Sequence, residues 1–144
     1  MQFLGELNMP KFCLKLLDMF INRANPGKKG NNIMGAKTFH NQTNLDLSVQ
    51  LEVRKGDKPG NTLCYKNYSL ASGDSRYCEY SDSRNPYLDG ILINGVNDDE
   101  MIASQQFVFH RGGPGSLDAK FNTHNTVTIT MSANKDFDLS FSNS

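Results

Sequence analysis

The sequence predicts an all-β fold, an antiparallel β-sandwich or Greek-key barrel of seven to eight short strands, with a short amphipathic helix at the N-terminus. Leu45, Leu47, Val49, Leu51 and Val53 alternate with Asp46, Ser48, Gln50, Glu52 and Arg54, the period of a strand with one buried and one wet face. Clusters of Gly, Pro, Asn and Asp then interrupt the chain at short intervals, as turns between strands do. Beyond residue 36 no helical pattern separates the strand-like segments, which argues against an α/β enzyme fold.

In chain order, residues 11–22 place Phe12, Leu16, Met19 and Phe20 on one helical face, with Pro10 at a position that tolerates a missing N–H. Asn25-Pro26-Gly27 ends that pattern, and residues 25–32 have the composition of a flexible linker. The expected division is therefore helix and linker over 1–33 and sandwich over 34–144. Met34 offers a second start, which would make residues 1–33 a misassigned leader; N-terminal sequencing of the native product distinguishes the two.

Gly56-Asp57-Lys58-Pro59-Gly60 breaks the first clear strand. Leu63–Leu70 and Ser75–Tyr80 read as a hairpin closed by Ala71-Ser72-Gly73-Asp74, and Asn85-Pro86 starts another turn. Further strands are expected at Tyr87–Asn94, with Ile91 and Ile93 inward, at Gln105–His110, with Phe107 and Phe109 on one face, at Thr126–Ser132 and at Phe137–Phe141. In size and architecture, with Thr43–Leu51 and the turn Ser72-Gly73-Asp74-Ser75, the chain resembles small secreted-type sandwiches such as the aegerolysins. That likeness rests on no shared motif, so it implies no residue role or activity.

A 144-residue chain can bury a core without a metal or disulfide, so no cofactor is required for stability. The proposed hairpin puts Cys64 and Cys78 on opposite sheet faces, which argues against a bridge between them. Residues 1–33 carry five basic and two acidic groups and residues 34–144 ten and thirteen. A mildly acidic body with only two adjacent basic pairs, Lys28-Lys29 and Arg54-Lys55, argues against a nucleic-acid partner. No apolar run reaches the roughly 18 residues of a membrane span, and Lys15 and Asp18 interrupt what would be a signal peptide's apolar core. A soluble protein is expected, its compartment open and non-classical export included.

No GxSxG, HExxH, Walker or dinucleotide motif is present, and His40, His110 and His124 share no ligand-like spacing. Arg111-Gly112-Gly113-Pro114-Gly115-Ser116 could turn backbone N–H groups toward an anion. Pro114 lacks a donor, however, and the segment after Ser116 reads as too short and polar for the dipole-bearing helix of a tight anion site, so a mobile inter-strand loop is expected, with loop-borne recognition the alternative. Asn97-Asp98-Asp99-Glu100 reads first as a solvated acidic turn; the alternative is a calcium site, since Asp98, Asp99 and Glu100 offer oxygen ligands of the kind calcium takes, with help needed from Asp82 or Asp89. Tyr65, Tyr68, Tyr77, Tyr80 and Tyr87 are interleaved with basic residues; strand propensity and partial burial account for most of them, and the alternative is a recognition face of Tyr80, Arg84 and Tyr87, with Arg111 from the glycine loop. Asn41-Gln42-Thr43 and Asn67-Tyr68-Ser69 match the glycosylation sequon.

These features favour a non-catalytic binding module that recognises a carbohydrate, lipid headgroup or protein surface through inter-strand loops and exposed tyrosines. The alternative is a structural protein that forms homo-oligomers through the N-terminal helix or strand edges. A small hydrolase assembled from separate strands is the third reading.

Overall fold

A computed structural model describes residues 35–81, 84–85 and 87–144. The expected N-terminal helix, the linker and the possible start at Met34 lie outside the described residues. Among the described residues there are eight strands, β1 (Ala36–Asn41), β2 (Leu47–Arg54), β3 (Thr62–Leu70), β4 (Ser75–Glu79), β5 (Leu88–Asn97), β6 (Glu100–Phe107), β7 (Thr126–Met131) and β8 (Phe137–Ser142), and one helix, α1 (Leu117–Thr123), between β6 and β7. They form two packed four-stranded sheets, ordered β3-β2-β5-β6 and β4-β1-β7-β8. The chain is an all-β sandwich.

The alternation in β2 gives the core its centre. Leu47, Val49, Leu51 and Val53 face inward and meet Ile91 and Ile93 of β5, Phe39 of β1 and Val127 and Ile129 of β7. Each such side chain contributes about 1.5–3 kcal/mol on burial. The pattern fails at Arg54, which period two puts on the wet face but which is 1% exposed. The pairing register shifts around Val53 against both β3 and β5, and a bulge of this kind re-aims the following side chain.

Two connections differ from expectation. Thr62–Leu70 and Ser75–Glu79 do not form a hairpin, because β3 pairs with β2 and β4 pairs with β1 in the other sheet. Ala71–Asp74 therefore crosses between sheets, and Asn41 fixes the crossing. Its amide donates to the carbonyls of Leu45 (2.8 Å), Leu70 (3.1 Å) and Ala71 (3.1 Å), while its oxygen accepts from Thr43 N–H (2.9 Å) and Oγ1 (2.6 Å). As a result Cys64 and Cys78 both face the core, from opposing sheets, rather than opposite faces of one sheet. Cys78 is a free thiol, so no bridge joins the two. Burial pushes it up to about 12. The second difference is that β1 and β7 run parallel, Thr38 beside Thr126 through Asn41 beside Ile129, so the sandwich is not purely antiparallel.

The parallel return is made possible by α1, where a loop was expected. Ser116 caps it by accepting from Ala119 N–H (3.1 Å), and Phe121 is buried beneath it. The Leu117 and Phe121 spacing of i and i+4 carried this signal. Strand β6 also begins and ends earlier than expected: after Val108 bonds Asp89 O (2.8 Å) the chain leaves the sheet, and Phe109 is 76% exposed rather than paired with Phe107.

Candidate functional site

One end of the sandwich carries a pocket of about 520 Å³, bounded by the end of β2, the β2–β3 loop, the start of β5, the glycine loop and α1. Arg54 forms its floor. Its Nε donates to Asp89 Oδ1 (2.5 Å), Nη2 to Asp118 Oδ1 (2.6 Å) and to Leu88 O (3.4 Å), and Nη1 to Asp57 O (3.2 Å). The guanidinium also lies against the Tyr87 ring, 5.3 Å from its centroid. Burial disfavours the Arg54 cation, but the hydrogen bonds and charges of Asp118 and Asp89 outweigh that and raise its pKa. Burial likewise pushes Asp118 upward, and the bonds from Arg54, Asn122 and Gly112 N–H more than reverse it, holding the carboxyl below its ordinary value.

Asn122 completes the wall by bonding both backbone groups of Leu88, accepting from its N–H (2.8 Å) and donating to its carbonyl (3.1 Å). Helix α1 is thus tied to the first residue of β5. At the rim, Arg111 reaches Asp57 Oδ2 (2.6 Å), with the two side chains 61% and 56% exposed. The rim therefore joins the β2–β3 loop to the glycine loop through a solvent-facing ion pair, while the floor is buried and fully paired.

Of the residues singled out by sequence, Tyr87, Arg111 and His124 meet here together with Gly112–Gly115. Arg84 is exposed but does not line the pocket. Tyr80 corrects the recognition-face expectation: it is 2% exposed and belongs to the core, held there by its N–H bond to Gly35 O (2.8 Å). Arg54, Asp118 and Asn122 were missed, because Arg54 sits in a strand pattern that reads as wet and α1 was not expected.

The acidic segment is a tight hairpin turn. Asn97 pairs with Glu100, and Asp98 and Asp99 occupy the two central positions with φ of 52° and 65°, the left-handed values of a type I′ turn. Asp89, named as a helper ligand, is instead 3% exposed and bonded to Arg54, and Asp82 lies outside the described residues. Among the described residues no group of three or more His, Cys, Asp or Glu side chains is placed to hold a metal ion. The calcium expectation for Asp98, Asp99 and Glu100 gains no geometric support.

The histidines also stay apart. His40 Nδ1 contacts Ser75 Oγ across β1 and β4, an exposed pair that lines neither this pocket nor the groove described below. His124 Nδ1 lies 3.2 Å from Thr123 Oγ1 and from Lys120 O at the end of α1. Of the two sequons, Asn41 is 1% exposed with its amide fully engaged, whereas Asn67 is exposed and accepts from Gln50 (3.0 Å). Among the described residues no helix is long and apolar enough to cross a membrane. Compared with known proteins, the chain matches no family model, no curated protein and no solved structure.

Proposed function

We propose that the protein is a non-catalytic binding module that takes a neutral, hydroxyl-rich ligand of the carbohydrate class in the end pocket. The observation that carries this reading is the charge pairing of the lining: Arg54 is matched by Asp89 and Asp118, and Arg111 by Asp57. Arg54, the buried cation of the pocket, is held by two carboxylates and is not available to a phosphate-bearing headgroup without breaking those ion pairs. A neutral polyol makes no such demand. It takes hydrogen bonds from fixed planar groups and packs its C–H faces on an aromatic ring, and the pocket offers the half-buried Tyr87 beside Asp57 and Arg111.

Titration calorimetry with a panel of neutral mono- and oligosaccharides tests the proposal. Binding that weakens at least tenfold in Tyr87→Ala and Arg111→Ala supports it. Binding confined to anionic lipids or phosphates, or unaffected by both substitutions, overturns it.

A second reading, self-association, is favoured by β6. It is an edge strand of its sheet, and residues 101–107 carry no charge, so it lacks the usual protection against edge pairing. Sedimentation of the full chain, alone and as Ala103→Lys, tests this: an oligomer dispersed by the lysine supports it, and a monomer throughout removes it.

A further inference from the structure

At the other end of β2 a wider groove, about 830 Å³, opens onto the outer face of the β3-β2-β5-β6 sheet. The strand registers fix what that face displays. Ser69, Ser48, Asn94 and Ala103 form one row across the four strands, and Asn67, Gln50, Leu92 and Gln105 form the next. A third row runs Tyr65, Glu52, Gly90 and Phe107, where the Phe107 ring lies over Gly90; a Cβ at that glycine would stand 2.6 Å from it. Glu52 is the only formal charge in the three rows, and it accepts from Thr62 Oγ1 (2.5 Å). On the groove side, Val96 pairs with Met101 on this same face, and they are 56% and 71% exposed.

We infer that this groove and face form a second binding site, one for an extended neutral polysaccharide. The groove has a wall of uncharged hydrogen-bonding groups, Ser48, Ser69 and Asn94, running beside exposed apolar side chains, Val96 and Met101. That juxtaposition matches a pyranose chain, whose rings carry hydroxyls at their edges and C–H groups on their faces. Asp46 is the one carboxylate of the groove lining; it is exposed, and one of its oxygens accepts from Ser72 N–H (3.0 Å). The face continues beyond the groove as amides and ends in the aromatic row, so a chain of several residues can run along it, about 6.8 Å of strand separating successive rows. The site shares the ligand class of the end pocket but none of its residues.

Affinity electrophoresis of the full-length protein in gels containing a soluble β-glucan, a mannan or a starch tests the inference. The proteins compared are the wild type, Met101→Lys with Asn94→Lys, and Arg111→Ala. Retardation by at least one polymer, weakened at least tenfold by the groove substitutions and retained in Arg111→Ala, is the expected result. Met101→Lys alone, at a 71% exposed position, provides a variant whose folding is not at stake. The inference is overturned if no polymer retards the wild type, or if the groove variants run as the wild type does. Loss in Arg111→Ala alone would place the polymer in the end pocket and overturn it too, whereas calorimetry with small sugars reports on the end pocket separately.

Discussion

Arg54→Met is expected to destabilise the protein by about 3–5 kcal/mol, the cost of leaving a buried partner charge uncompensated. Asp89 is 3% exposed, and without the guanidinium its remaining described partner is Gly60 N–H at 2.8 Å. Asp118, about 12% exposed, keeps Asn122 and Gly112 N–H and suffers less. Asp89→Asn added to Arg54→Met removes the stranded charge, so the double variant should recover about 2 kcal/mol, a coupling that a double-mutant cycle reads directly. Urea unfolding followed by far-ultraviolet circular dichroism is the assay, since the chain has no Trp. Against a typical total of roughly 5–15 kcal/mol, the single variant should lose much of its midpoint. The acid limb gives a second check. Asp118 has a depressed pKa in the folded state, so its contribution is complete above the unfolded carboxyl's value and disappears as pH falls through the folded one; in Arg54→Met that extra acid sensitivity should shrink. A single variant within 1 kcal/mol of the wild type, or no recovery in the double, would refute the assignment of Arg54 as the pinned floor of the pocket.

Three other outcomes are expected. Lys37, 3% exposed and donating to His124 O (2.5 Å), is lowered by burial from 10.5 to about 8; its contribution to stability should therefore rise as pH passes 8, and above 9 the opposing contribution of Cys78, kept protonated to about 12 against an ordinary 9, should cancel that rise. At about 1.4 kcal/mol per pH unit the cost of charging Lys37 is at most about 3.5 kcal/mol, so Lys37→Met should raise stability at pH 7 by about 1–3 kcal/mol and flatten the rise, as measured by urea melts from pH 7 to 9. Asn41→Ala leaves three carbonyls and the Thr43 donors without their shared partner and should cost about 2–4 kcal/mol, with hydrogen exchange rising first in residues 42–46 and 70–74. Asp99→Gly relieves a φ of 65° and should raise the thermal midpoint by the equivalent of about 0.5–1 kcal/mol.

The fold class was legible because period-two alternation is a local signal that burial enforces. Leu47 to Val53 read correctly for that reason, and a one-residue slip would have turned all four side chains to solvent. Pairing was not legible. A four-residue turn such as Ala71–Asp74 serves a hairpin or a sheet crossing equally well, and what decides between them is Asn41, some thirty residues away. Arg54 shows the same limit, since a bulge depends on the registers of β3 and β5 and leaves no mark in the strand's own alternation. Tyr87 and Arg111 could be named in advance because aromatic and basic residues in loops are recognisable by type. Tyr80 could not be told from them, because its burial follows from packing in the core between the two sheets, which residue type does not reveal.

The pocket divides into parts that answer to different experiments. Its floor, Arg54 with Asp89 and Asp118, is buried, and substitutions there disturb folding and ligand contact together, so loss of binding in Arg54→Met would identify nothing by itself. Its rim is different: an ion pair whose members are 61% and 56% exposed contributes roughly 0–1 kcal/mol to stability. Arg111→Ala and Asp57→Ala should therefore fold as the wild type does, and any binding they lose belongs to the ligand. The rim carries no buried charge that would explain its pairing structurally, and it spans the two loops that bound the cavity. A ligand that wedges between those loops must displace or bridge the pair, so its affinity should change with salt even though the ligand itself is neutral. Salt-independent binding of a neutral sugar would place it deeper, against Tyr87 and the floor, and leave Arg111 a spectator.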